Sequence, residues 1–154
     1  MFALRVAIVL AFVLCSPVVL ALDNDGAMYV GGTITTKVPE KTEGKLDLSP
    51  EAAAKFVWKK GEALIPYDKI DSIEYGQKAG RRVGVAVMVS PIALFSKKRK
   101  HYLTLGFNDA TGKPQGVVIE LGKDTVRAAL STLEARTGKK VEYESEEAKK
   151  HVGN

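Results

Sequence analysis

Cysteine occurs once in the 154 residues, at Cys15, and histidine twice, at His101 and His151. A single thiol excludes an internal disulfide and a cysteine-rich zinc site. Neither histidine has a second histidine or a carboxylate at a ligand spacing such as H-E-x-x-H, so no metal site is expected. No G-x-S-x-G, P-loop or dinucleotide fingerprint is present, and Gly31-Gly32 reads as a strand bend rather than a phosphate cradle. Asp68, Asp71 and Glu74 are spaced by three, but beside Lys69 they read as solvated turn charges, and no twelve-residue loop of alternating oxygen ligands accompanies them. Charge of one sign is not in great excess: 23 Lys and Arg against 18 Asp and Glu leave +5. That bias is too mild for a nucleic-acid signature, and the aromatic motif of RNA-recognition domains is missing. The expectation is a protein that is not an enzyme, with no cofactor, no metal, no nucleic-acid partner and no small-molecule substrate implied.

Long apolar runs are also few, and there are two. The first opens the chain. Arg5 is the only charge in residues 1–21, and Val6 to Leu20 is apolar apart from Ser16. Val19 and Ala21 stand at −3 and −1 of a cleavage after Ala21, the layout of a secretory signal peptide. Pro17 argues against an uncleaved anchor helix, because proline disrupts a helix interior. Phe12-Val13-Leu14 lacks the small residues that a lipobox places before its cysteine. Residues 1–21 are therefore expected to be removed, and Cys15 with them. The mature chain from Leu22 is then a single exported domain, periplasmic or extracellular, without disulfides, held by its apolar core.

Most of the remainder reads as strands. Ala27–Thr36 carries Tyr29, Val30, Ile34 and threonines, with a bulge or sharp bend at Gly31-Gly32. Short strands are expected at Lys45–Leu48, Ala54–Lys59, Ala63–Ile65 and Asp71–Tyr75, with a corner at Pro66–Lys69. His101–Phe107 alternates, Asn108–Gly112 is a hairpin loop, and Gln115–Leu121 is the returning strand. The period then changes. Within Lys123–Arg136, Val126, Ala129, Leu130 and Leu133 form one helical stripe, and Gly138 lies where a C′ glycine would sit. Phe56 and Trp58 share a strand face and are expected to pack in the core beneath that stripe. Glu142–Lys150 is mostly charged and has no core pattern, and residues 139–154 read as a tail, frayed or a solvated helix.

The second apolar run carries the candidate function. Arg81-Arg82 precedes thirteen uncharged residues, Val83–Phe95, and Ser96 leads into Lys97-Lys98-Arg99-Lys100. Val83, Val85, Val87 and Val89 alternate as in a strand, whereas Ser90-Pro91 suits the N-cap and first position of a helical turn. As a straight helix, thirteen residues span about 20 Å, short of a bilayer core of about 30 Å. The segment can enter a membrane surface or pack on the domain, but cannot cross. An apolar segment between two cationic clusters suits an anionic membrane, the cations meeting headgroups and the apolar part the acyl boundary. The simpler reading is a core segment with solvated ends.

The corner Ile65-Pro66-Tyr67-Asp68-Lys69-Ile70-Asp71-Ser72-Ile73-Glu74-Tyr75 and the strand entry Lys98-Arg99-Lys100-His101-Tyr102-Leu103-Thr104-Leu105 are similar to those of bacterial pleckstrin-homology-like domains, a group related in shape to GRAM domains. The resemblance covers residues 27–138. It implies a mostly β fold with one C-terminal helix, a bent seven-stranded antiparallel sandwich or barrel closed at one end by that helix. The chain thus divides into a signal peptide (1–21), a pleckstrin-homology-like domain (22–138) with an apolar insertion (83–95), and a charged tail (139–154). The fold by itself licenses no function. The reading that follows is an exported, non-enzymatic binding module whose Arg81, Arg82, Lys97, Lys98, Arg99 and Lys100 contact an anionic lipid surface, or which meets a protein partner. The alternative is an envelope-assembly protein that self-associates through 83–95.

Overall fold

The structure is a computed structural model that describes residues 26–34, 38–77 and 100–153. Within them the chain forms eight strands and two α-helices. The strands are β1 (Gly26–Gly32), β2 (Thr42–Asp47), β3 (Ala53–Trp58), β4 (Gly61–Pro66), β5 (Ile70–Gly76), β6 (His101–Asn108), β7 (Pro114–Leu121) and β8 (Val141–Tyr143). The helices are α1 (Val126–Thr137) and α2 (Glu146–Gly153). One sheet joins all the strands in the order β4-β3-β2-β1-β7-β6-β5-β8. Every pairing is antiparallel except β5 with β8.

Local chemistry explains the elements. At Gly31-Gly32, β1 carries the register shift that its glycines suggest. Gly32 has φ +150°, and a Cβ there would lie 2.3 Å from the Gly116 carbonyl oxygen, so no side chain fits. In the corner motif, Ile65, Tyr67, Ile70 and Ile73 are all buried, while Pro66, Asp68 and Lys69 face solvent. The motif is a way of turning four apolar side chains into one core through the single 3₁₀ turn Tyr67–Lys69. Tyr67 is held further by its hydroxyl, which donates to the Leu48 carbonyl at 3.2 Å. In the β6–β7 hairpin, Asp109 accepts from the Thr111 and Lys113 backbone N–H groups at 2.8 and 3.0 Å, an Asx-type turn. The Thr111 hydroxyl, the largest influence, and these N–H groups hold the Asp109 carboxyl below its ordinary range.

Helix α1 buries the expected stripe, Val126, Ala129, Leu130 and Leu133. It ends at Gly138, φ +70°, whose N–H donates to the Glu134 carbonyl at 2.9 Å. The stripe belongs to one core cluster with Phe56, Ile65, Ile73, Tyr75, Leu103, Leu105 and Ile119, and Trp58 packs partly buried at its margin, stacked on Phe56 at 6.0 Å. The opposite face of the central strands is buried too. Thr104 and Val118, paired across β6 and β7, are 5 % and 0 % exposed, and Tyr102 is 3 % exposed. β6 thus alternates in sequence but is buried on both sides.

The mostly β architecture followed by a helix agrees with the sequence. The single C-terminal helix does not. Past Gly138, where a charged tail, frayed or a solvated helix, was expected, β8 adds an eighth strand and α2 a helix that packs on the domain. Val141 and Tyr143 pair with Ile73 and Tyr75, and Ala148 is buried. Three apolar anchors among the charges are enough, because a sheet edge was available to receive them.

Candidate functional site

Of the six cations singled out in the sequence, Lys100 alone falls within the described residues. Arg81, Arg82, Lys97, Lys98 and Arg99 lie outside them, as does the apolar segment 83–95. Lys100 enters β6, and its Nζ lies 2.8 Å from a carboxylate oxygen of Glu120 on β7. Both side chains are about a quarter exposed, and the Glu120 hydrogen bond raises the Lys100 ammonium above its ordinary range. This cation is therefore already partly neutralised, and less available to an outside anion than the sequence suggests.

What the frame fixes is where the described chain stops and resumes on either side of residues 78–99. β5 ends at Gly76, which pairs with Tyr102 near the start of β6. The 78–99 stretch therefore leaves and rejoins the sheet at one end of neighbouring strands. Arg81-Arg82 and Lys97–Arg99 are each within a few residues of that end along the chain.

The same end gathers groups that no local motif announced. His101, the first residue of β6, stacks on Tyr75 of β5, with ring centroids 6.0 Å apart and planes inclined by 14°. Its Nδ1 lies 2.6 Å from the Tyr75 hydroxyl, which donates to it when the ring is neutral with its proton on Nε2. His151, from helix α2, meets His101 edge-on at 6.3 Å, and Tyr143 of β8 meets Tyr75 edge-on at 6.1 Å. Burial, foremost, pushes the Tyr75 phenol up to about 12. Burial also pushes the His101 imidazole down, helped by His151 and Lys123 and opposed by Glu120. The sequence reading left the two histidines without partners. They meet because β8 carries α2 back to the end of β5, a non-local pairing that no spacing rule encodes.

Among the described residues no group of three or more His, Cys, Asp or Glu side chains is placed to hold a metal ion. One concavity is a groove of about 670 Å³ between α1 and β2, lined by Leu46, Leu48, Leu121, Ala129, Lys45 and Asp124 among others. Its lining holds no histidine, and within it the Ser49 hydroxyl donates to the Asp47 carboxylate at 2.6 Å. No helix among the described residues is long and apolar enough to cross a membrane. No protein-family model matches the chain, and no curated protein matches it in sequence.

Proposed function

We propose that the protein is an exported, non-enzymatic binding module of pleckstrin-homology-like shape that rests one end of its sheet on an anionic membrane surface. Seven successive antiparallel strands, joined across β1 and β7 and followed by a helix whose stripe enters the core, support the shape. The observation that carries the function is the shared anchorage of the 78–99 stretch at Gly76 and Tyr102. Two cationic clusters tethered to one sheet end can meet one surface together, whereas clusters anchored far apart could not. Each Lys or Arg near an anionic surface adds about 1 kcal/mol, screened over about 8 Å at physiological salt.

Co-sedimentation with vesicles tests the reading. The mature domain should pellet with phosphatidylserine-containing vesicles at low salt, hardly with neutral ones, and less as salt rises. Replacing Lys97, Lys98 and Arg99 by Gln should weaken binding about fivefold per cation. Lys100 is left in place because its pairing with Glu120 belongs to the fold. A wild-type domain that stays in the supernatant with anionic vesicles at low salt ends the proposal.

A further inference from the structure

Helix α2 is lightly held. Of its eight residues Ala148 is buried and Val152 packs partly on the core. Its approach is fixed by backbone: the Glu144 N–H donates to the Tyr75 carbonyl at 2.9 Å, and the Ala148 N–H donates to the Ser145 hydroxyl at 3.1 Å. Toward its other end the contact is His151 against His101. Elements with so little buried apolar surface open at free energies well below that of the whole fold.

The groups facing His101 come from each element around it. His151 approaches from α2, and Lys123 from the link between β7 and α1; both are cationic when His151 is protonated. Glu120 of β7 is the carboxylate in range, and it is already bonded to Lys100, the neighbour of His101 on its own strand. Tyr75 of β5 lies against the ring, and Tyr143 of β8 lies beyond it, both uncharged through the acidic range. A proton added to His101 therefore lands in a half-buried place with two cations and one engaged anion.

The geometry points to an acid-released latch: when His101 and His151 are both charged, the apposed rings repel, and helix α2 leaves the end of the sheet while β1–β7 and α1 stay folded. Docking is favoured while the His101 ring is neutral. The His101 imidazole is pushed below its ordinary value of about 6.5 while α2 is docked. The docked state therefore binds protons less readily, and its advantage is lost as pH falls from about 6.5 through that lower value. Release would uncover the Ala148 and Val152 positions and the edge of His101, where β5 ends and β6 begins.

Amide hydrogen exchange on the mature domain at pH 7.5 and 5.0, corrected for the intrinsic pH dependence of exchange, tests this. Wild-type α2 amides should lose protection by about threefold or more in acid, the equivalent of half a pK unit, while β6 and α1 amides keep theirs. In His151→Gln, a substitution at an exposed residue, the acid loss should disappear. In His151→Lys, which carries its charge at both pH values, α2 should stay docked at pH 7.5 and lose protection in acid, when His101 takes up its proton opposite the lysine. The inference is overturned by wild-type α2 amides equally protected at both pH values or unprotected at pH 7.5. It is equally overturned by a His151→Gln variant that retains the acid loss, or by a His151→Lys variant that keeps full α2 protection in acid. None of these outcomes depends on vesicle binding.

Discussion

Replacing Leu133 by Ala isolates the contribution of the α1 stripe to the core. Leu133 is 0 % exposed and sits in one cluster with Phe56, Ile73 and Leu105. The change removes three carbons, worth about 2.4 kcal/mol at about 0.8 kcal/mol each in lost transfer free energy. The cavity left between a helix and a bonded sheet cannot collapse freely, which brings the total to about 3–4 kcal/mol, inside the range for buried leucines. Alanine is as good a helix former as leucine, so the loss reports packing and not helix formation. Urea denaturation followed by tryptophan fluorescence reads it, because Trp58 packs against the same core. The midpoint should fall at constant m-value. Leu64→Ala is the internal control: Leu64 on the sheet-edge strand β4 is 55 % exposed, and its loss should stay within about 0.5 kcal/mol. A Leu133→Ala variant that loses less than about 1 kcal/mol would refute the packing of α1 on this sheet.

Other perturbations probe other parts of the fold. Val118→Asp, at a residue 0 % exposed on the face away from α1, should leave the domain unfolded or insoluble, because a carboxylate buried there loses its hydration; a soluble variant with a wild-type melting point would mean that face is open. Gly138→Ala, at φ +70°, should cost about 1 kcal/mol by chemical denaturation, since an L-residue resists the left-handed region. The Tyr75 phenol is raised to about 12 in the folded state, against about 10 for a free tyrosine. Stability from that group is intact below pH 10 and lost as pH climbs through 12, so thermal melts of wild type should fall over that window more steeply than those of Tyr75→Phe.

Much of this fold is legible because its elements are amphipathic at their own period. The α1 stripe names the four residues that are buried, and Gly138 marks the helix end. The corner from Ile65 to Ile73 reads correctly because alternation and a proline constrain it locally. Legibility fails where the determinant is another part of the chain. Val141-Glu142-Tyr143 has no pattern of its own and becomes a strand only because β5 presents a free edge. Tyr102 and Thr104 alternate with Leu103 and Leu105 along β6, yet both sets are buried. Alternation separates the two faces of a strand but does not say that either face meets water. The candidate cations are similar. A run of Lys and Arg reads as available charge, and only tertiary structure reveals that Lys100 has Glu120 across the strand pair. His101 and His151 come together through β8 and α2, which the sequence leaves as tail.

The two proposals meet at one end of the sheet, and that gives them separable signatures. The membrane reading rests on cations that are charged at every physiological pH, anchored where β5 ends and β6 begins. The latch rests on two apposed imidazoles at the same end, and histidine is the side chain whose charge changes in the mildly acid range. If only the fixed cations matter, vesicle binding follows salt and is flat between these pH values. If release of α2 also exposes the sheet end, binding strengthens in acid by more than two added charges supply. At about 1 kcal/mol per charge, those two supply at most about thirtyfold. The His151→Gln variant removes one charge and the repulsion together, whereas His151→Lys retains both once His101 is protonated. Acid-strengthened binding beyond the added charge, present in wild type and His151→Lys and lost in His151→Gln, therefore requires the helix to move. A plain gain of positive charge would raise affinity in His151→Lys by only the single-charge increment of about fivefold.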